Sequence, residues 1–230
     1  MKAANQPMQE TTSPLFLFFA VLFIACILSA NIIAVKIISL FGFFVPAGII
    51  IFPISYIIGD ILTEVYGYEN TKKIIWLGFF ANLMMVIAII IAQSLPAAPF
   101  WSNQKAFVDI LGFAPRLLLA SFTAFLIGSF ANSFVMSKMK LMTKGNMLWT
   151  RTIGSTIVGE GLDSLIFISI AFIGSLPFMA IFPMILTQWF LKTVYEVIMT
   201  PVTYAIVGFL KKREKVDHFD YKVDYNPFAL

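Results

Sequence analysis

An all-α integral membrane protein with six transmembrane helices is predicted by three observations. First, 60% of the 230 residues are hydrophobic and the mean hydropathy is +0.90. Second, only 12% are charged, about half the share usual in soluble domains. Third, the apolar residues form runs near the roughly twenty residues that cross a bilayer core, with basic residues gathered in alternate connections. Cys26 is the only cysteine, which excludes an internal disulfide and a cysteine-based metal site. The net charge of +4 resides in loops and tail, where membrane topology accounts for it better than nucleic acid does.

Residues 1–14 read as a polar N-terminal segment ending in Ser13-Pro14, an N-cap and a first-turn proline. The first helix spans about Leu15 to Val35, too long for the apolar core of a signal peptide, and is a retained helix. A second run begins near Ile37, is broken by Gly42, Pro46, Gly48 and Pro53, and resumes as Ile54 to Val65. Tyr66 to Asn70 reads as a turn and Lys72-Lys73 as a membrane boundary, before a third helix from Ile74 to Ser94. Between Leu95 and Pro115, Trp101 and its neighbours suit the interface, and Ser102 to Leu111 reads as a short surface helix. The fourth helix is Arg116 to Met136, followed by a basic loop with Lys138, Lys140, Lys144 and Arg151. The fifth is about Thr152 to Leu176 and the sixth about Pro183 to Leu210, kinked near Pro201. Residues 15–210 form the transmembrane domain, and 211–230 an exposed charged tail in which His218 is solvated. The excess of Lys and Arg on one side predicts that both termini are cytoplasmic.

The polar residues at membrane depth are Asp60, Glu64, Glu160, Asp163, Gln188, Lys192 and Glu196. Charges inside a bilayer are costly and face a bundle interior or a cavity. Glu160 and Asp163 share one helix face; Gln188, Lys192, Tyr195 and Glu196 share another. Simple interhelical bonding accounts for Asn31 and Asn132 as well as ligand contact does, and Glu64 reads as solvated at the interface. It does not account for five acids against one lysine, which calls for a cationic or hydrogen-bond-donating ligand, bound protons or altered acidity. No phosphate-binding loop or HExxH zinc motif is present, and no cofactor, metal or enzymatic activity is expected. Ala30-Asn31 against Ala131-Asn132, and Gly59-Asp60 against Gly159-Glu160, match at nearly one offset. They suggest a 3+3 inverted repeat, a pattern that in transporters points to the binding site.

Three spaced motifs carry a family resemblance. Phe52-Pro53-Ile54-Ser55-Tyr56 with Gly59-Asp60-Ile61-Leu62-Thr63-Glu64-Val65-Tyr66-Gly67 is the first. Gly159-Glu160 with Asp163-Ser164 is the second, and Gln188-Trp189 with Lys192, Tyr195-Glu196 and Thr200-Pro201 the third. Over about Asn31 to Pro201 the chain resembles the queuosine precursor transporters of the VUT family. The resemblance implies a six-helix inner-membrane protein importing 7-cyano-7-deazaguanine (preQ0), 7-aminomethyl-7-deazaguanine (preQ1), or both, for salvage into transfer RNA, without itself contacting nucleic acid. A carboxylate can accept two adjacent N–H groups of a guanine-like edge, and rings such as Trp189, Tyr195 and Phe167 could stack on the base. The expected substrate-binding set is therefore Asn31, Asp60, Glu160, Asp163, Gln188, Trp189, Lys192, Tyr195 and Glu196. Glu160 or Asp163 is expected to read the guanine edge, Gln188 and Lys192 its carbonyl side. The family is also similar to the substrate-binding subunits of energy-coupling-factor importers, so a binding subunit dependent on partner ATPases is the alternative. Whether the chain forms a homodimer is left open.

Overall fold

In the computed structural model, Ser13 Oγ accepts the Phe16 N–H at 3.0 Å and Pro14 occupies the first turn, so helix α1 (Pro14–Ile33) begins where its capping residues set it. The structure describes residues 13–40, 43–112, 115–174 and 177–229. Of the expectations above, those on residues 1–12, on Gly42 and on the end of the fifth helix at residues 175–176 lie outside what is described. After α1 the chain forms an antiparallel hairpin of β1 (Ile37–Leu40) and β2 (Phe43–Pro46), pairing Ile37 with Pro46 and Leu40 with Phe43. A 3-10 turn (Ala47–Ile50) then leads into α2 (Phe52–Tyr66). The expected break in the second run is thus a small hairpin, which β-branched and aromatic residues favour, in an otherwise helical chain.

The remaining helices are α3 (Tyr68–Ser94), α4 (Gln104–Leu111), α5 (Pro115–Met142), α6 (Leu148–Phe172) and α7 (Phe178–Glu214). Among the described residues six helical segments are long and apolar enough to cross a membrane, and α4 is too short to do so. Three of the boundaries differ from expectation in the same way. α3 starts before Lys72, α5 continues past Lys138 and Lys140, and α7 runs through both Pro183 and Pro201 to Glu214. Basic residues mark where a helix leaves the hydrocarbon, not where its backbone hydrogen bonds stop. At 1.5 Å per residue, the 37 residues of α7 extend about 55 Å, well beyond a hydrocarbon core of about 30 Å.

α2 is the axis of the bundle: 13 of its 15 residues are buried. Around it pack Phe23 and Ile27 of α1, Ile75 of α3, Phe125 of α5 and Leu210 of α7. The outward surfaces carry exposed apolar residues such as Val21, Met84 and Ile198, as a lipid-facing surface requires. α5 and α6 approach closely where Gly128 meets Gly159. A Cβ on Gly128 would lie 2.4 Å from Tyr56 Oη, and one on Gly159 would lie 2.6 Å from Asn132 Cβ.

The start of α1 and the ends of α2 and α7 meet at one face, where Glu214 accepts hydrogen bonds from Ser13 and Tyr66. The tail corrects the sequence expectation. It is folded back onto this face: Asp220 is buried, accepting from the Tyr68 N–H and from Ser137 Oγ. Lys72 donates to tail carbonyls of Asn226 and Ala229, and the Trp76 indole to that of Pro227. His218, expected to be solvated, is half-buried against Gly67, the φ +85° residue between α2 and α3, where a Cβ would lie 2.3 Å from its ring. The tail docks because the helix ends supply N–H groups and cations that need partners, a requirement that composition alone does not display.

Candidate functional site

Glu160 and Asp163 stand one turn apart on α6, and both accept from Lys192 of α7. Nζ lies 2.7 Å from Glu160 Oε2 and 2.5 Å from Asp163 Oδ2, with all three side chains buried. The ammonium also sits 4.4 Å above the Phe52 ring, a cation–π contact that adds to its fixation. α6 and α7 run antiparallel. The register that pairs Glu160 with Lys192 therefore sets Ser164 level with Gln188 and Thr156 level with Glu196, each one turn away.

A second group lies on α2. Asp60 is fully buried and accepts from Asn132 Nδ2 at 2.6 Å and Ser155 Oγ at 3.3 Å. Glu196 is also buried, acts electrostatically on Asp60 and is acted on by Glu160. Lys192 and Glu196, one turn apart on α7, thus connect the two groups.

Most buried polar atoms in folded proteins have a hydrogen-bond partner, and here the exceptions collect in one place. Of nine such unpartnered side-chain atoms among the described residues, seven are Tyr56 Oη, Asn132 Oδ1, Thr156 Oγ1, Glu160 Oε1, Ser164 Oγ, Gln188 Oε1 and Glu196 Oε1. They come from α2, α5, α6 and α7 around the two carboxylate groups. Each costs about 1–3 kcal/mol when left unmade, so a ligand offering complementary donors would offset a large penalty here. The packed space is small. A cavity of about 10 Å³ is lined by Tyr56, Gly59, Ser129, Asn132 and Ser133, with Phe23 and Ile75. That volume suits a water molecule, whereas drug-sized ligand pockets run to about 300 Å³ and above. A base would therefore require α6 and α7 to part.

The structure brings Asp60, Glu160, Asp163, Gln188, Lys192 and Glu196 to this region and separates three other expected residues from it. Asn31 Oδ1 accepts from Ser121 Oγ at 3.2 Å, about two turns along α5 from Gly128. Trp189 lies over Gly161, donates to the Ile157 carbonyl at 2.9 Å, and lines an open apolar groove with Phe190 and Leu186. Tyr195 packs on the core cluster, near Cys26. Spacing puts both Trp189 and Tyr195 three residues from Lys192, yet their side chains are taken by other partners, the Ile157 carbonyl and the core cluster. The aromatic side chains at the site are Phe52 and Tyr56, whose rings lie 5.6 Å apart. Both stand in the first sequence motif, and their one-turn spacing ahead of Asp60 was the available signal. Asn132 and Ser155 were legible only as polar residues in apolar helices.

Glu64 corrects a further expectation. It is buried, and Arg151 of α6 holds it side-on: Nε donates to Oε2 at 3.0 Å and Nη2 to Oε1 at 2.8 Å. Lys211 reaches Glu64 Oε1 at 2.5 Å, and Lys140 approaches it at 3.6 Å while bonding Asp217 at 2.6 Å. Of the five acids at membrane depth, Glu64 is thus balanced at the terminus face. Of the other four, Glu160 and Asp163 share Lys192.

Comparison with known proteins bears on this arrangement. A family model described as "Putative vitamin uptake transporter" matches residues 46–206. A protein of Bacillus subtilis named "Probable queuosine precursor transporter" is 29% identical over 189 residues, 81% of this chain and 82% of that protein. One of Haemophilus influenzae with the same name is 27% identical over 143 residues, 61% of this chain and 57% of its own. No solved structure matches at a comparable level of significance.

Proposed function

The chain belongs to the family described as "Putative vitamin uptake transporter", and from that membership we propose that it imports queuosine precursors, preQ0, preQ1 or both, across the cytoplasmic membrane. The observation that carries the reading is the buried Glu160–Lys192–Asp163 triad, with Glu160 Oε1 and Gln188 Oε1 left without partners. A deazaguanine edge presents adjacent N–H donors and a carbonyl. The free carboxylate oxygen and the Gln188 amide complement the donors, and the Lys192 ammonium complements the carbonyl. Phe52 offers a flat face beside the ammonium. The two relatives' names support the substrate class.

In this reading the face that gathers both described chain ends is cytoplasmic. It carries Lys140, Arg151, Lys211, Lys212 and Arg213, in keeping with the retention of basic residues inside. The inverted repeat remains part of the proposal, since Asp60 and Glu160 both lie buried on the second membrane helix of each half. The repeat is not carried into the hydrogen bonding: Asn132 donates to Asp60, whereas its counterpart Asn31 pairs with Ser121.

The test is uptake of labelled preQ0 and preQ1 by the purified chain in liposomes, alongside thermal shift. A ligand at a hundred times its dissociation constant stabilises by about 2.7 kcal/mol. Exchange without ATP or partner proteins supports the carrier. Stabilisation without exchange points to a binding subunit of the energy-coupling-factor type, and neither effect with any deazaguanine overturns the reading.

A further inference from the structure

We propose that Asp60 and Glu196, together with the water-sized cavity beside them, form the site of a monovalent coupling cation, a proton or a sodium ion, that crosses with the base. The inference rests on the transport reading above and adds its driving force.

The cations of the bundle are already engaged. Lys192 is held by Glu160, Asp163 and the Phe52 ring, and Arg151, Lys140 and Lys211 surround Glu64. The charged groups that act on Asp60 are Glu196 of α7 and Glu64 of its own helix, with neutral Asn132 of α5 and Ser155 of α6 as donors. The charged group acting on Glu196 is Glu160 of α6, and Glu196 in turn acts on Asp60 of α2. Two carboxylates, 0% and 1% exposed, thus lie within electrostatic reach at membrane depth, and Asp60's hydrogen-bond donors are the neutral Asn132 and Ser155. Bringing one positive charge to such a pair relieves both the desolvation and the mutual repulsion.

A second observation points to a small ligand. Asn132 gives its Nδ2 to Asp60, which leaves its buried Oδ1 without a partner. Asn132 also lines the cavity of about 10 Å³, together with Tyr56, Ser129 and Ser133. Every polar group offered there is an oxygen or an amide, the ligand class of a hard cation or of a water that relays a proton. Coupling has a short path: Glu196 and Lys192 are one turn apart on α7, so a movement of that helix that opens the base site also changes the distance between Asp60 and Glu196.

The purified full-length chain is reconstituted in liposomes, and preQ0 and preQ1 are followed in three arms. The first is counterflow with no ion gradient, the second an inside-alkaline pH gradient, the third an inward sodium gradient. Counterflow is expected in wild type, and one of the two gradients is expected to drive net accumulation. At one proton per base, one pH unit supports at most about ten-fold accumulation, the equivalent of 1.36 kcal/mol. Glu196→Gln should lose that accumulation relative to its own exchange rate, and its exchange should no longer respond to the driving ion. Asp60→Asn provides the same reading if the first variant does not reconstitute. Counterflow in wild type with neither gradient effective overturns this proposal alone. Absence of counterflow with both bases removes the transport reading and the coupling site with it.

Discussion

Arg151 of α6 and Glu64 of α2 meet in a buried side-on pair, Nε to Oε2 at 3.0 Å and Nη2 to Oε1 at 2.8 Å. The pair joins the first half of the chain to the second at the face where the tail docks. Lys211 and Lys140 converge on the same carboxylate, so removal of its charge leaves three cations close together. Breaking a buried pair from one side costs about 3–5 kcal/mol. Glu64→Gln is therefore expected to lower the thermal midpoint in detergent by on the order of 10 °C, at about 2–4 °C per kcal/mol for a chain of this size. Glu64→Gln combined with Arg151→Met should recover part of the loss. Equal midpoints for Glu64→Gln and wild type would show that the network contributes nothing net.

Gly128 and Gly208 make a matched pair of helical glycines with opposite surroundings. A Cβ on Gly128 would meet Tyr56 Oη at 2.4 Å, Asp163 Cβ at 2.9 Å and the Gly159 carbonyl at 3.0 Å, whereas one on Gly208 would meet nothing within 4 Å. Gly128→Ala is expected to destabilise by about 1–3 kcal/mol through overpacking and to shift the proposed base-binding region, because both clashing side chains belong to it. Gly208→Ala should stabilise by up to about 1 kcal/mol through helix propensity. Thermal unfolding of the two variants side by side checks the pair. A Gly128→Ala protein as stable as Gly208→Ala would contradict the close α5–α6 approach.

Lys192 is the one cation bonded to Glu160 and Asp163 among the described residues. Lys192→Met leaves two carboxylates one turn apart without it, and such truncations of a buried charge pair cost about 2–5 kcal/mol. Affinity for preQ0 should fall roughly thirty-fold or more. preQ1, whose aminomethyl group is cationic, should lose less because it can replace part of the missing charge. Calorimetric titration of both bases tests this; equal losses for the two would exclude charge replacement at the site.

The spans and the acids of the site were legible because a carboxylate in an apolar run has few explanations. Helical spacing was enough to put Glu160 and Asp163 on one face and Lys192 on a second polar stripe, and the packing of α6 on α7 joins them. Arg151 and Lys140 were harder: as members of a basic cluster they read as a loop, and nothing local distinguishes a lysine at the interface from one that continues a helix into a buried pair. The partner that buries them, Glu64, is 76 and 87 residues away in sequence. The same long-range dependence hid the docking of the tail, whose contacts run to the ends of α2, α3 and α5. Trp189 failed for the opposite reason. It lies three residues from Lys192, but its indole is taken by the Ile157 carbonyl on the outer side of the α6–α7 contact.

The docked tail carries a pH dependence of definite sign. The hydrogen bond to Asp220 raises the pKa of His218 above its usual value, against some opposition from burial. Burial works to raise that of Asp220, but His218, Ser137 and the Tyr68 N–H together hold it below the usual carboxylate range. A histidine with a raised value in the folded state stabilises fully below its unfolded value, about 6.5, and loses that contribution as the pH rises through the folded value. The Asp220 contribution is present above its own unfolded value, about 3.9, and is lost only on acidification. The tail should therefore be held most firmly between about pH 4 and 6.5, and loosen on going from pH 6 to pH 9. Because the His218 side chain is 41% exposed, solvent screens the pair and the change is modest. The measurement is hydrogen exchange at the Tyr68 amide, which donates to Asp220, corrected for the intrinsic pH dependence of exchange. Protection should decline with rising pH in wild type and be flat and lower in His218→Gln; identical profiles for the two proteins would refute the His218–Asp220 linkage.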